Sequence, residues 1–113
     1  MNPRLDPERI ANEIIAAGEE WADREAAAKH LEETKNIVRA EQTVACIDAS
    51  GGMPAAKADA KALASPQYRE HIEAMTKARR AANRARVLYE ALRLKAEMTR
   101  TKEATTRAEM NLR

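Results

Sequence analysis

The chain has no phenylalanine, one tryptophan and two tyrosines among 113 residues, leaving little aromatic mass to fill a globular interior. With six isoleucines and three valines, β-branched aliphatic residues are also scarce, which disfavours sheet. The single cysteine, Cys46, cannot form an internal disulfide, so nothing calls for an oxidising compartment. No apolar run approaches the ~18 residues that a membrane helix requires. The first seven residues lack the apolar core of a signal peptide, and Ile14-Ile15-Ala16-Ala17 is bracketed by glutamates. A cytoplasmic protein without membrane attachment is the expectation.

Alanine is what the chain has in abundance. It supplies 25 residues, half of all the hydrophobic ones, while 34% of the chain is charged. Such a composition favours long helices in close approach over a thick core.

Two strong helix starts divide the chain. Asp6-Pro7-Glu8 offers a side-chain acceptor for free backbone N–H groups, a proline suited to the first turn, and an acid at the positive end of the dipole. A helix is predicted over 7–48, with Ile10, Ile14, Ala17, Trp21, Ala28, Leu31, Val38 and Ala45 at three-and-four spacing. Arg24, Lys35 and Gln42 interrupt this stripe, and Ile37, Val44 and Ile47 broaden it near its end, which should therefore be the better-buried end. Ser50-Gly51-Gly52-Met53-Pro54 is the clear breaker. The chain should reverse at this breaker, and the alanine-rich connector, 49–65, suits a short helix or a frayed linker with little to bury. Ser65-Pro66 repeats the cap-then-proline signal and opens a second helix over 66–111. There Tyr68, Met75, Ala82, Tyr89 and Ala96 recur every seven residues, with Ile72, Ala78, Ala85, Leu92 and Thr99 filling the other half of a coiled-coil seam. The predicted fold is all-α: one domain, an antiparallel two-helix hairpin, coiled-coil-like, with an alanine-rich connector.

More apolar side chains sit on the two helices than one seam can cover. Ile37, Val44, Ile72, Leu88 and Leu92 are therefore candidate interface residues, and a homodimer forming a four-helix bundle is expected.

Charge is unevenly placed. Residues 1–65 carry 8 basic and 12 acidic side chains, and residues 66–113 carry 12 and 6. From Ala74 to Tyr89 there is no acid, while Lys77, Arg79, Arg80, Arg84 and Arg86 supply five positive charges. Arg79, Arg86, Arg93, Arg100 and Arg107 form a seven-residue column beside the seam. That column can lay its stems on the seam and pair with Glu13, Glu20, Glu25, Glu32 or Glu41 of the first helix. It can also follow a phosphate backbone, with Lys77, Arg79, Arg80, Arg84 and Arg86 as the nucleic-acid-binding set, or dock an acidic partner.

Catalytic and cofactor chemistry has no visible basis. His30 and His71 belong to no metal-ligand pattern, and no glycine-rich phosphate loop or nucleophile with a nearby base is present. Glu20-x-x-Asp23 and Glu70-x-x-Glu73 are the spacing by which two facing helices can hold a divalent cation. A reversal near residue 57 sets Asp23 opposite Ala91 and Glu70 opposite Val44, too far apart to share an ion. No catalytic, cofactor or metal residue is assigned, and Trp21 is read as a packing anchor.

The segment Ala64-Ser65-Pro66-Gln67-Tyr68-Arg69-Glu70-His71-Ile72-Glu73, with Ala78-Arg79-Arg80-Ala81-Ala82-Asn83-Arg84-Ala85-Arg86-Val87 and Tyr89-Glu90-Ala91, resembles small helical-hairpin proteins of temperate phages and prophages of proteobacteria. The likeness runs over roughly residues 25–110. It implies a non-enzymatic adaptor or accessory in DNA recombination or replication, with a protein partner in DNA metabolism or DNA itself, and carries no catalytic residue with it.

Overall fold

The computed structural model describes residues 6–112. Three helices account for nearly all of them: α1 (Pro7–Ser50), α2 (Ala55–Leu63) and α3 (Pro66–Asn111). Among the described residues there is no strand, and no helix is long and apolar enough to cross a membrane.

Local chemistry sets the helix ends. Asp6 Oδ1 accepts from the backbone N–H of Glu8 at 3.1 Å and of Arg9 at 3.4 Å, and Pro7 takes the first helical position. Ser65 does the same for α3, its Oγ accepting from Tyr68 N–H at 3.2 Å. At the far end of α1 the Gly52 N–H reaches back to Ile47 O at 3.1 Å and the Gly51 N–H to Asp48 O at 3.4 Å. This pair of reverse bonds closes the last turn only if the chain takes positive φ, which Gly51 (75°) and Gly52 (122°) supply. Ser50 reinforces the stop by accepting from Met53 N–H at 3.0 Å.

The chain divides into two compact units, 6–23 with 83–112, and 24–82. In the first, Gly18 lies against Tyr89, and Ile10 and Ile14 share a groove with Leu92 and Ala96, so α1 and α3 run antiparallel there. In the second, Leu31 meets His71, and Glu25 and Glu32 meet Arg79, again antiparallel. The chain reverses at Gly51–Gly52, inside the expected breaker, and it is the pairing register centred on residue 57 that is corrected. Asp59 of α2 already binds Arg39 of α1, and Glu70, beside His71, belongs near Leu31 and not opposite Val44.

Each core is built of alanine. Ala28, Ala58, Ala62 and Ala82 are wholly buried in the second unit, Ala17 and Ala85 nearly so in the first, and among the described residues no larger side chain is fully covered. The connector is therefore a packed helix with two buried alanines, not a segment with little to bury.

All ten positions expected in the α3 seam, from Tyr68 to Thr99, are buried or half-buried. On α1 the expected stripe holds through Val38, which is half-buried like Leu31, and departs at Ala45. Three-and-four spacing from Ala28 continues through Glu32, Lys35, Arg39, Gln42 and Cys46, all half-buried except Ala28 itself, which is fully covered, while Ala45 is exposed. Ile37 and Val44 fall on the outer side, 55% and 57% exposed, and do not broaden the covered stripe, whereas Ile47 is half-buried.

Candidate interaction faces

In the second unit, one arginine of the expected column has a defined task. Arg79 Nε and Nη2 donate to the two carboxylate oxygens of Glu32 at 2.8 and 3.0 Å, and Nη1 donates to Glu25 Oε2. This forked arrangement, which lysine cannot make, ties α3 to two positions of α1 that lie two turns apart. Arg39 makes a second fork, to both oxygens of Asp59, and fixes α2 against α1. The His71 Nε2–H donates to the Leu31 carbonyl at 2.7 Å, so the imidazole acts as a helix-to-helix strut, while His30 is exposed.

Charge pairing moves these groups in the expected directions. The hydrogen bond from Arg79 holds the Glu32 carboxyl below its usual 4.5, and that from Arg39 holds Asp59 below its usual 3.8. Both guanidinium groups are raised correspondingly. A lowered carboxyl stabilises the fold above its unfolded-state value and loses that contribution as pH falls through the folded one. Thermal midpoints should thus stay level from pH 8 to about 5.5, then fall by a few degrees below about pH 4.5, the window of Glu32 and Asp59. Glu32→Gln should already have the lower midpoint at neutral pH and show a shallower acid limb. An equally steep limb in that variant would show that the Arg79 fork contributes nothing.

In the first unit, aromatic packing does the corresponding work. Trp21 and Tyr89 lie 5.4 Å apart between ring centroids at an interplanar angle of 37°. The Arg93 guanidinium stands 5.8 Å from the centre of the Tyr89 ring. Gly18 makes room for Tyr89: a Cβ at that position would come within 3.3 Å of the ring. Next to this cluster, a shallow groove of about 140 Å³ is lined by Ile10, Ile14, Leu92, Ala96 and the stems of Arg9 and Lys95.

The remaining candidates separate cleanly. Lys77 and Arg80 in the second unit, and Arg84 and Arg86 in the first, are exposed and make no ion pair among the described residues, unlike Arg79. Of the candidate interface residues, Ile72 and Leu92 are half-buried in the seam, whereas Ile37, Val44 and Leu88 are more than half exposed. Ile15, Val87, Leu94 and Met98 join the exposed set at 57–64%. Among the described residues no group of His, Cys, Asp or Glu could hold a metal ion; Glu20 and Asp23 lie in the first unit, Glu70 and Glu73 in the second.

The Arg39–Asp59 fork, the His71 strut and the Gly18 recess were not anticipated. Asp59 is the one acid within the alanine-rich connector segment 54–64, and Gly18 is the one glycine inside α1, on its packed face; each oddity was the available signal. No protein-family profile, characterised protein or solved structure matches the chain.

Proposed function

We propose that the protein is a non-enzymatic helical adaptor that works by presenting helix faces to other proteins. The observation that carries this is an inversion of the usual size order. Alanines fill the two cores, while Ile37 and Val44 of one unit and Ile15, Val87, Leu88 and Leu94 of the other stand more than half exposed. A chain that could bury its large aliphatic side chains and instead turns them outward is built to be covered by partners. The resemblance to phage and prophage hairpins points to an accessory role in DNA recombination or replication, in the cytoplasm, with two copies joined in a four-helix bundle. Deleting the gene from a prophage should lower the yield of recombinant or replicated phage DNA. A copy carrying Ile37→Asp and Val44→Asp, both on the outer face, should keep its helicity and fail to restore the yield; full restoration would overturn the reading.

Direct, sequence-neutral nucleic-acid binding is the alternative, favoured by the exposed, unpaired Lys77, Arg80, Arg84 and Arg86. Arg79 is held by Glu25 and Glu32 and adds little to such a track. Binding to a fluorescent duplex should then weaken with salt at a slope of about −0.9 per phosphate contacted, and replacing the four by glutamine should abolish it. No binding at low salt would dismiss this alternative.

A further inference from the structure

We propose that the outer face of α3 in the first unit pairs with the same face of a second copy as a parallel, in-register coiled coil. Helical geometry puts Val87, Ala91, Leu94 and Met98 on the side of α3 roughly opposite the seam that meets α1. The three-and-four spacing continues without a break through Thr101, Thr105, Ala108 and Leu112. All eight positions are exposed and none is charged, although nine of the residues from 87 to 112 are. The Thr101 hydroxyl donates to the Glu97 carbonyl at 3.0 Å, so its polar atom is satisfied within the helix and does not oppose burial. The stripe stops at its N-terminal side on Arg84, which occupies the next position of the repeat.

A second observation comes from the end of α3. From Arg100 onward every described residue is exposed, yet the helix continues to Asn111. Three further helical turns with no cover gain nothing from tertiary packing, whereas a partner helix along the outer stripe would supply it.

Charge selects the occupant. If Val87 and Leu94 are the d positions and Ala91 and Met98 the a positions, Glu90 and Glu97 fall at g, and Lys95 and Lys102 at e. In a parallel in-register pair, each g residue faces the e residue five places on in the other chain. Glu90 then meets Lys95, and Glu97 meets Lys102, twice over by symmetry. In an antiparallel pair g faces g and e faces e, which sets glutamate against glutamate and lysine against lysine. Within one helix, residues five apart are not neighbours, and none of the four makes an ion pair among the described residues. A second copy of this chain, running the same way, is thus the partner whose charges fit. Bringing two positive α3 segments together is tolerable because the opposed charges lie at the contact and salt screens the rest.

The inference rests on the self-association proposed above but joins two copies through α3 alone, and a failure here leaves the adaptor reading through Ile37 and Val44 standing. Sedimentation equilibrium of the full chain from 1 to 100 µM should show a monomer–dimer equilibrium with a limiting mass twice 12.6 kDa. Glu90→Lys with Glu97→Lys should weaken dimerisation at least about tenfold, as should Lys95→Glu with Lys102→Glu. Because all four residues are exposed, helicity should not change. Mixing the two variants should restore a dimer containing one of each. For orientation, Leu112→Cys in a Cys46→Ser background should form a disulfide-linked dimer in air, since only the parallel register places the two termini together. A wild type that stays monomeric at 100 µM overturns the proposal. So does a dimer indifferent to both charge reversals, or one in which Leu112→Cys fails to cross-link.

Discussion

Ala82→Leu should destabilise the second unit by about 1–3 kcal/mol, and Ala28→Leu by a similar amount. Both alanines have no exposed surface, and each lies on the covered face of its helix. Helices brought this close leave no room for three further carbons; the added side chain must push the backbones apart or take a strained rotamer. Helix propensity cannot account for a loss, because alanine and leucine differ little in it. Ala45→Leu is the matched control: same chemistry, same helix, but an exposed site, with a change expected within about 0.5 kcal/mol. Urea denaturation followed by circular dichroism measures all three. Equal stability of Ala82→Leu and wild type would mean that the α1–α3 contact is looser than described.

The other large effect is expected at Leu92→Asp, with a loss of about 2–3 kcal/mol centred on the first unit. Leu92 lines the groove with Ile10, Ile14 and Ala96, and a carboxylate there gives up that apolar contact. Trp21 supplies the readout. It is the only tryptophan and packs on Tyr89 in the same unit, so loosening should shift its emission toward that of a solvated indole. Leu63→Asp on α2 serves as the comparison. Leu63 is already 43% exposed, and a change within about 0.5 kcal/mol is expected. An unshifted Trp21 emission in Leu92→Asp would show that the groove does not support the aromatic pair.

The contrast between the two long helices explains which parts of this fold can be read from sequence. On α3 every seam position is alanine, aliphatic, tyrosine or threonine, so the seven-residue repeat is visible in the letters, and the structure covers all ten. On α1 the same repeat passes through Lys35, Arg39 and Gln42, polar residues that are half-buried, Arg39 with its head on Asp59. A hydropathy pattern skips such residues and follows Ile37 and Val44 to the wrong face. Caps were readable because Asp6-Pro7 and Ser65-Pro66 act through neighbours in sequence. The register of α1 against α3 was misplaced because it depends on how α2 packs, through Ala58, Ala62 and the Arg39–Asp59 pair. For the interaction faces, the sequence showed that apolar residues were in excess and which arginines were clustered. It did not show that Arg79 is held by two glutamates while its neighbours remain unpaired.

An interior made of methyl groups also has a calorimetric consequence. Alanine loses no side-chain rotamer freedom when buried, so these cores form at low entropic cost, but they also remove little apolar surface from water. The heat-capacity increment of unfolding scales with that surface and should fall well below the ~12–15 cal/mol/K per residue of ordinary domains. A small increment flattens the dependence of stability on temperature. The melting transition of this chain should accordingly be broad, its enthalpy nearly constant with temperature, and cold denaturation far removed from the accessible range.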